Sequence, residues 1–345
     1  MKKRYIIYLS LIAMIVSGFI LFPPVLPVIQ LPGEAVIPNV PILGAITNTF
    51  IATIISYLIV LAIALAVNAR SRTADEVPTG FYNVFEMIVE GAYGYVESAT
   101  GRWAPRFFPF FMTFILLILT ANWLELVPGV DSIGKWESMG ELAEHRFETE
   151  AEAEGLHPTE EELHQVADEA MEANLGNLRQ GPFLLRAPEG EDGDKPEEAD
   201  WTIVPFIRVP ATDLNFTLAL ALISVIFTEY YGLRALGLGY LRKFFTWDAD
   251  KIARNPLGLM DTIVGLIEFI SELARILSFA FRLFGNIFAG QVLLFVIGFL
   301  FPVALVAVYG LEFFVGAIQA VVFALLTLTF MAGAVVSHHD EEEHH

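Results

Sequence analysis

An arginine inside an apolar run is the first residue in this chain whose type and place could do chemistry. Arg282 lies in the stretch 268–290, EFISELARILSFAFRLFGNIFAG, part of a run long and apolar enough to cross a membrane. Arginine keeps its proton throughout the biological pH range. A charge at the bilayer centre costs roughly 2.5–3.5 kcal/mol on the mildest scale, so such a residue marks a functional site by default. At 100° per residue, Glu268, Ser271, Arg275, Ser278, Arg282 and Asn286 form a single polar stripe. Phe281, Leu283, Phe284 and Ile287 around it are apolar, so the stripe must face a protein partner or a water-filled cleft. Glu272 stands three residues from Arg275, a spacing that also fits a structural ion pair. Arg282 has no acid three or four residues away.

Other polar residues in apolar surroundings extend this set. Gln291, nine residues past Arg282, falls on the opposite side of the same helix, and Glu312 and Gln319 share a face of the next one. These two helices form a hairpin about the short Phe301-Pro302 turn, so Gln291 and Glu312 can approach near its outer half. A glutamate with polar neighbours inside a span is a natural proton-accepting station; a hydrogen bond joining two helices is the alternative for Glu312 and for Gln319. Asp213, in PATDLNFT, precedes an apolar run and can cap its helix, with proton entry as an additional role. Glu229, beside Tyr230 and Tyr231, reads as an interfacial anchor. The terminal HHDEEEHH lacks the fixed geometry a metal needs, so neither a metal nor a cofactor is expected.

The elements that must position these residues follow from composition. Hydrophobic residues make up 55% of 345 and mean hydropathy is +0.58, which places the chain among all-α polytopic membrane proteins. Six spans are expected at 4–22, 45–68, 105–127, 212–232, 259–300 and 303–336, with soft boundaries. The first also fits a secretory signal, but Pro23 and Pro24 follow without an Ala-x-Ala-like site, so an uncleaved helix is favoured. Phe81, Val84, Phe85, Ile88, Ala92, Tyr95 and Val96 repeat at helical spacing opposite Asn83, Glu86 and Glu90, as in an amphipathic helix on the cytoplasmic membrane surface, with an ordinary linker packed on the bundle as the alternative.

The net charge of −20 does not point to a basic partner such as nucleic acid, because residues 131–200 hold 21 acids against 5 basic residues. That insertion is too long for a simple connection. Its 137–178 part has a helical composition, its 187–200 part a mobile one, and a solvated role is expected. Lys2, Lys3, Arg4, Arg70, Arg72, Arg102, Arg106, Arg234, Arg242, Lys243, Lys251 and Arg254 fall on one side if six spans alternate, which puts both termini in the cytoplasm and the acidic 130–211 loop outside. The expected divisions are 1–36, an N-terminal helix and outer linker; 37–129, spans two and three with the amphipathic helix; 130–211, the insertion; 212–258, span four and a basic loop; 259–337, the hairpin; and 338–345, a solvated tail. With no cysteine, thiol chemistry and disulfides are excluded. No internal repeat and no phosphate-cradling glycine loop is present, so no nucleotide site is expected.

RLFGNIFAG (282–290) and IQAVVFALLTLTF (318–330) resemble the hallmark segments of subunit a of the F-type ATP synthase; PATDLNFTLALAL (210–222) and FPFFMTFILLILTANWLELVPG (108–129) fit it too, so the resemblance runs from about 37 to 337. It implies five family-like spans plus the N-terminal one. It also implies a stator that partners a rotating ring of c subunits, the peripheral-stalk b subunits, the remaining synthase subunits and membrane lipid, in a bacterial plasma membrane. In that family the arginine matching Arg282 faces the ring's carboxylates between two aqueous half-channels and bars direct proton leakage. Asn286 matches a polar neighbour of that arginine. Glu268, Ser271 and Ser278 match the inner half-channel, while Gln291, Glu312 and Gln319 match the outer pathway and Asp213 a carboxylate near its mouth. Two positions that vary across the family are Gln291 and Glu312 here, which leaves Glu312 as the single titratable outer station. Glu125 stands where the family often has glycine, and neither the 131–200 insertion nor the first span has a counterpart in its commonest pattern. The rival reading is a self-contained channel or secondary transporter. Its signature would be an inverted repeat or paired interrupted helices, and neither is found.

Overall fold

The computed structural model describes residues 33–40, 44–71, 81–131, 133–153, 156–172, 201–243, 258–300 and 304–336. The expected span at 4–22, segment 187–200, the Phe301-Pro302 turn, Lys251, Arg254 and the tail 338–345 lie outside the described residues. The elements, in order, are β1 (Ala35–Val40), β2 (Gly44–Thr47), α1 (Asn48–Ser71), α2 (Phe81–Thr100), α3 (Ala104–Trp123), β3 (Pro128–Asp131), β4 (Gly134–Ser138), α4 (Met139–Ala153), α5 (Glu160–Glu172), β5 (Trp201–Pro205), α6 (Leu214–Leu236), α7 (Gly258–Leu300) and α8 (Leu305–Ala334).

Among the described residues, five stretches are long and apolar enough to cross a membrane: Asn48–Ala69, Asn83–Leu126, Leu214–Leu236, Ile263–Gly298 and Leu305–Ala334. The architecture is that of an all-α polytopic membrane protein. At about 1.5 Å per residue, even the 23-residue α6 exceeds the roughly 30 Å of hydrocarbon. Ile54, Leu58, Leu61 and Leu65 of α1 are exposed, as side chains facing lipid would be. Gly101, at φ 53°, breaks the helix between α2 and α3, a backbone state that few residues other than glycine adopt. Phe85, Ala92 and Val96 of α2 turn inward as the periodicity predicts, whereas Val84, Ile88 and Tyr95 are exposed. Tyr93 packs edge-on against Phe108 and Tyr95 stacks near Phe111, so α2 is pinned to α3 by rings rather than by its whole apolar face.

The chain divides into two compact units, one gathering 1–51, 125–209 and 289–313, the other 52–124, 210–288 and 314–345. In the second unit α3, α7 and α8 meet through Phe114, Phe279 and Phe323, whose ring centroids are 5.3 Å apart in both pairs. Asn122 Nδ2 donates to the Gly316 carbonyl at 3.2 Å, and the buried hydroxyls of Ser224 and Thr327 share a 2.8 Å hydrogen bond that ties α6 to α8. Buried polar pairs of this kind join helices where lipid offers them no alternative partner. Gly237, at φ 62°, ends α6, and its N–H caps the Leu233 carbonyl.

In the first unit the acidic insertion is closed at its base by a small sheet that the all-α reading did not anticipate. β4 and β5 pair antiparallel from Gly134↔Pro205 to Ser138↔Trp201, and α4 and α5 lie between them in sequence. A second sheet, β1 with β2, precedes α1. The insertion's helices answer the Glu/Ala/Leu-rich composition of 137–178. At the start of α5, Thr159 and Glu162 form a reciprocal cap, which holds the Glu162 carboxyl below the usual range.

Candidate functional site

Along the face of α7 that carries Arg282, the side chains of Ser271, Ser278, Arg282 and Asn286 are exposed, together with the apolar Leu277 and Phe281. Glu268 and Arg275 are half-buried, and Phe279, Leu283 and Ile287 fill the opposite, packed face. The polar stripe of the sequence is therefore an outward stripe of this chain, flanked by hydrocarbon side chains. Among the described residues no carboxylate pairs with Arg282; its guanidinium carbon lies 5.9 Å from the Phe279 ring centroid. Arg275 differs. Its Nη1 donates to Glu272 Oε2 at 2.6 Å and its guanidinium sits 3.9 Å over Phe330, so the structural alternative raised for this pair is the arrangement found.

Toward the N-terminal end of α7, more groups gather in the same unit. Tyr240, from the 3-10 turn Gly237–Lys243, is buried over Gly232, and its hydroxyl faces Glu229 within the field of Glu272 and Arg275. Burial, then the Glu229 carboxylate, push this phenol upward, so it keeps its proton. Glu229 itself is half-buried, with one of its oxygens fully shielded. Tyr231 instead joins Phe107, Phe110 and Trp103 in an aromatic cluster, and Tyr230 receives a hydrogen bond from Arg234 at the surface.

Asp213 is the N-cap of α6, accepting from the Asn215 N–H at 2.9 Å, which realises the capping role read from its position. Gln319 is half-buried one turn beyond Gly316, with its Oε1 shielded and without a partner among the described residues.

The first unit holds a second polar centre. Glu312 is buried with its carboxyl laid directly over Gly290, the residue before Gln291, so the sequence-derived approach of these two helices is met by a glycine that leaves room for the acid. Gln291, also buried, hydrogen-bonds Asp131, and the buried Glu125 lies in electrostatic reach of both Asp131 and Glu312. Tyr309 adds a phenol near Glu125 and Asp131. Behind Asp131, Arg208 donates to Glu34 Oε1 at 3.2 Å, both side chains being almost fully buried, and Asn48 joins Glu34 to the Pro205 carbonyl.

Burial raises the Asp131 carboxyl to about 7, against the opposing pull of Arg208 and hydrogen bonds from the Val209 N–H and Gln291. Asp131, Glu34 and Arg208 were missed in the sequence because the first sits in the acidic insertion read as solvated, and the other two in flanking loops. The one available signal was Asp131 just beyond Pro128-Gly129 at the mouth of a span; its φ of 59°, which aspartate tolerates better than most residues, is visible only in the fold. Elsewhere in the insertion Lys135, Glu141, Glu144, His145 and Glu148 line a polar groove of about 310 Å³. Among the described residues no group of three or more acids or histidines is placed to hold a metal ion.

A chain with this fold, carrying a cation on an outward helix face and a buried acid over a glycine, can be set beside known proteins. The family described as ATP synthase A chain matches residues 50–332. ATP synthase subunit a of Mycobacterium ulcerans is 29% identical over 304 residues, covering 87% of this chain and 90% of that protein. Subunit a of Syntrophobacter fumaroxidans is 34% identical over 139 residues, 40% of this chain and 54% of that one, and that of a Campylobacter jejuni strain is 36% identical over 136 residues, 39% and 56%. The family match begins in α1 and ends within α8, and on it the chain belongs to the ATP synthase A chain family.

Proposed function

We propose that this chain is the stator subunit a of a rotary F-type ATP synthase, in which Arg282 confronts the carboxylates of a c-subunit ring and separates two proton half-channels. The observation that carries the reading is the exposed guanidinium of Arg282, without a carboxylate partner among the described residues, on a face lined by Ser271, Ser278, Asn286 and apolar side chains. Left against lipid this arrangement is costly; against a partner bearing mobile acids it is favourable. A neutral ring acid arriving from lipid is drawn into its charged form by the fixed cation and gives up its proton. The same cation repels a proton moving straight between the half-channels, so transport must proceed by rotation.

The outer half-channel uses Glu312, Gln291, Gln319 and Asp213, joined by Asp131 and Glu125. The inner one uses Glu268, Ser271 and Ser278, with Asn286 beside the arginine. Each proton crossing 100 mV delivers about 2.3 kcal/mol, so several must pass for each nucleotide condensed elsewhere in the complex. The chain works as the non-catalytic membrane subunit, beside the c ring and the peripheral-stalk b subunits. It lies in a bacterial plasma membrane with the 130–211 loop outside.

Replacing Arg282 by Ala in the assembled complex tests this. Proton-driven ATP synthesis in membrane vesicles should vanish while the chain remains present at parental level; coupled synthesis at a normal rate would overturn the reading.

A further inference from the structure

Two arginines occupy the polar stripe of α7, and only one can serve as a barrier. Arg275 lies seven residues from Arg282, two turns toward the N-terminal end of the helix, where a second bare cation would repel any proton leaving by that side. The fold neutralises it through the 2.6 Å contact with Glu272 and the seat over Phe330. Tyr240, whose phenol faces Glu229 of α6, lies within the electrostatic field of this pair. A side chain at position 232 would meet the ring, its Cβ 2.5 Å from Tyr240 Cζ, so Gly232 is what allows the tyrosine to lie there.

We propose that Glu229, with Tyr240 as its hydrogen-bond donor, is a proton-release station of the inner half-channel, and that Glu272 and Arg275 are positioning residues that keep the approach to it electrically neutral. This rests on the stator reading above. Among the described residues, the charged and titratable groups near Glu229 are Tyr240 of the 3-10 turn, whose hydroxyl faces it, and Tyr230 and Arg234 of its own helix, with Glu272 and Arg275 of α7 in the field of Tyr240; Arg102 and Arg106 are stacked over Trp103, 5.9 and 5.0 Å from its ring. Tyr240 keeps its proton and so donates without competing for the one in transit. The step needs no other reactant: an O–H bond forms on the Glu229 carboxylate as a proton arrives from the stripe, and the same bond breaks as it passes to inner water. Ion pairing, aromatic stacking and a glycine seat for the phenol, drawn from α6, α7, α8 and the turn, converge on a carboxyl that has one oxygen shielded from solvent.

The test uses the complete ATP synthase in vesicles, with proton conduction through the membrane sector measured against the pH of the inner-face compartment. Glu229→Gln should slow conduction about tenfold or more, and Glu229→Asp should keep most of the rate with a displaced pH profile. Tyr240→Phe, which retains the ring over Gly232, should move the inner-side midpoint while leaving the outer-side profile as in the parent. Parental rates and parental inner-side profiles in both Glu229→Gln and Tyr240→Phe would overturn the proposal. If Glu229→Gln fails to assemble, Tyr240→Phe decides. Arg282→Ala, run alongside, separates the two levels: survival of coupled synthesis there defeats the stator reading, whereas its loss together with unaltered Glu229→Gln and Tyr240→Phe complexes defeats this inference alone.

Discussion

The contact between Glu312 and Gly290 can be broken by a single methyl group. A Cβ built on Gly290 would lie 2.5 Å from the Glu312 carboxyl carbon, whereas ordinary contact begins near 3.4 Å, so the acid must retreat by about 1 Å. The backbone need not suffer. The clashing atoms are the far end of a flexible side chain, and alanine is favoured over glycine in a helix by roughly 0.8–1 kcal/mol, so Gly290→Ala should assemble at parental level. Function is where the loss appears, because displacing a reacting group by about 1 Å can cost on the order of a hundredfold. Proton conduction through the membrane sector of reconstituted Gly290→Ala complexes should therefore fall between about tenfold and a hundredfold. Adding Glu312→Asp, which withdraws the carboxyl by one methylene, should recover part of that rate. Parental conduction by an assembled Gly290→Ala complex would refute the assignment of Glu312, in this seat, to the proton path.

Asp131, with its carboxyl raised to about 7, is mostly protonated when the outer pH is a unit below that value and mostly ionised a unit above it. The dependence of proton uptake on outer pH should show a midpoint near 7 in the parent and lose it in Asp131→Asn; an identical profile in the variant would exclude Asp131 from the path. Arg208→Ala leaves Glu34 buried without its cation, a loss of roughly 3–5 kcal/mol for a pair so enclosed. It should speed limited proteolysis of the insertion by at least about a hundredfold and move the Asp131 midpoint upward, since Arg208 holds that carboxyl down. Cleavage at the parental rate would contradict the anchoring role. Gly134→Ala drives a Cβ into the Val204 carbonyl, which is backbone and cannot yield. Hydrogen exchange at Lys135 and Val204 should accelerate as the β4–β5 pairing opens, and unchanged protection would show that the strand can adjust.

Much of this protein is written in short-range pattern. Apolar runs of 20 residues or more have few fates besides crossing a lipid layer, and the 3.6-residue period put Ser271, Ser278, Arg282 and Asn286 on one side of α7 without any knowledge of its neighbours. The Asp213 cap and the Glu272–Arg275 pair were equally legible, because each is made within one turn of chain. Contacts between residues far apart in sequence were not. Asp131 and Gln291 are separated by 160 positions and Glu34 and Arg208 by 174, and no local periodicity encodes either pairing. The strands β4 and β5 are likewise separated by the whole insertion, and the approach of Tyr240 to Glu229 depends on a turn eleven residues later that folds the ring back over Gly232. Hydrophobicity and helical period are properties of a segment, so the sequence alone determined which of the described stretches are apolar enough to span a bilayer and which residues of α7 share a face. Which buried acid meets which donor depends on how distant segments pack, and only the tertiary structure decided that.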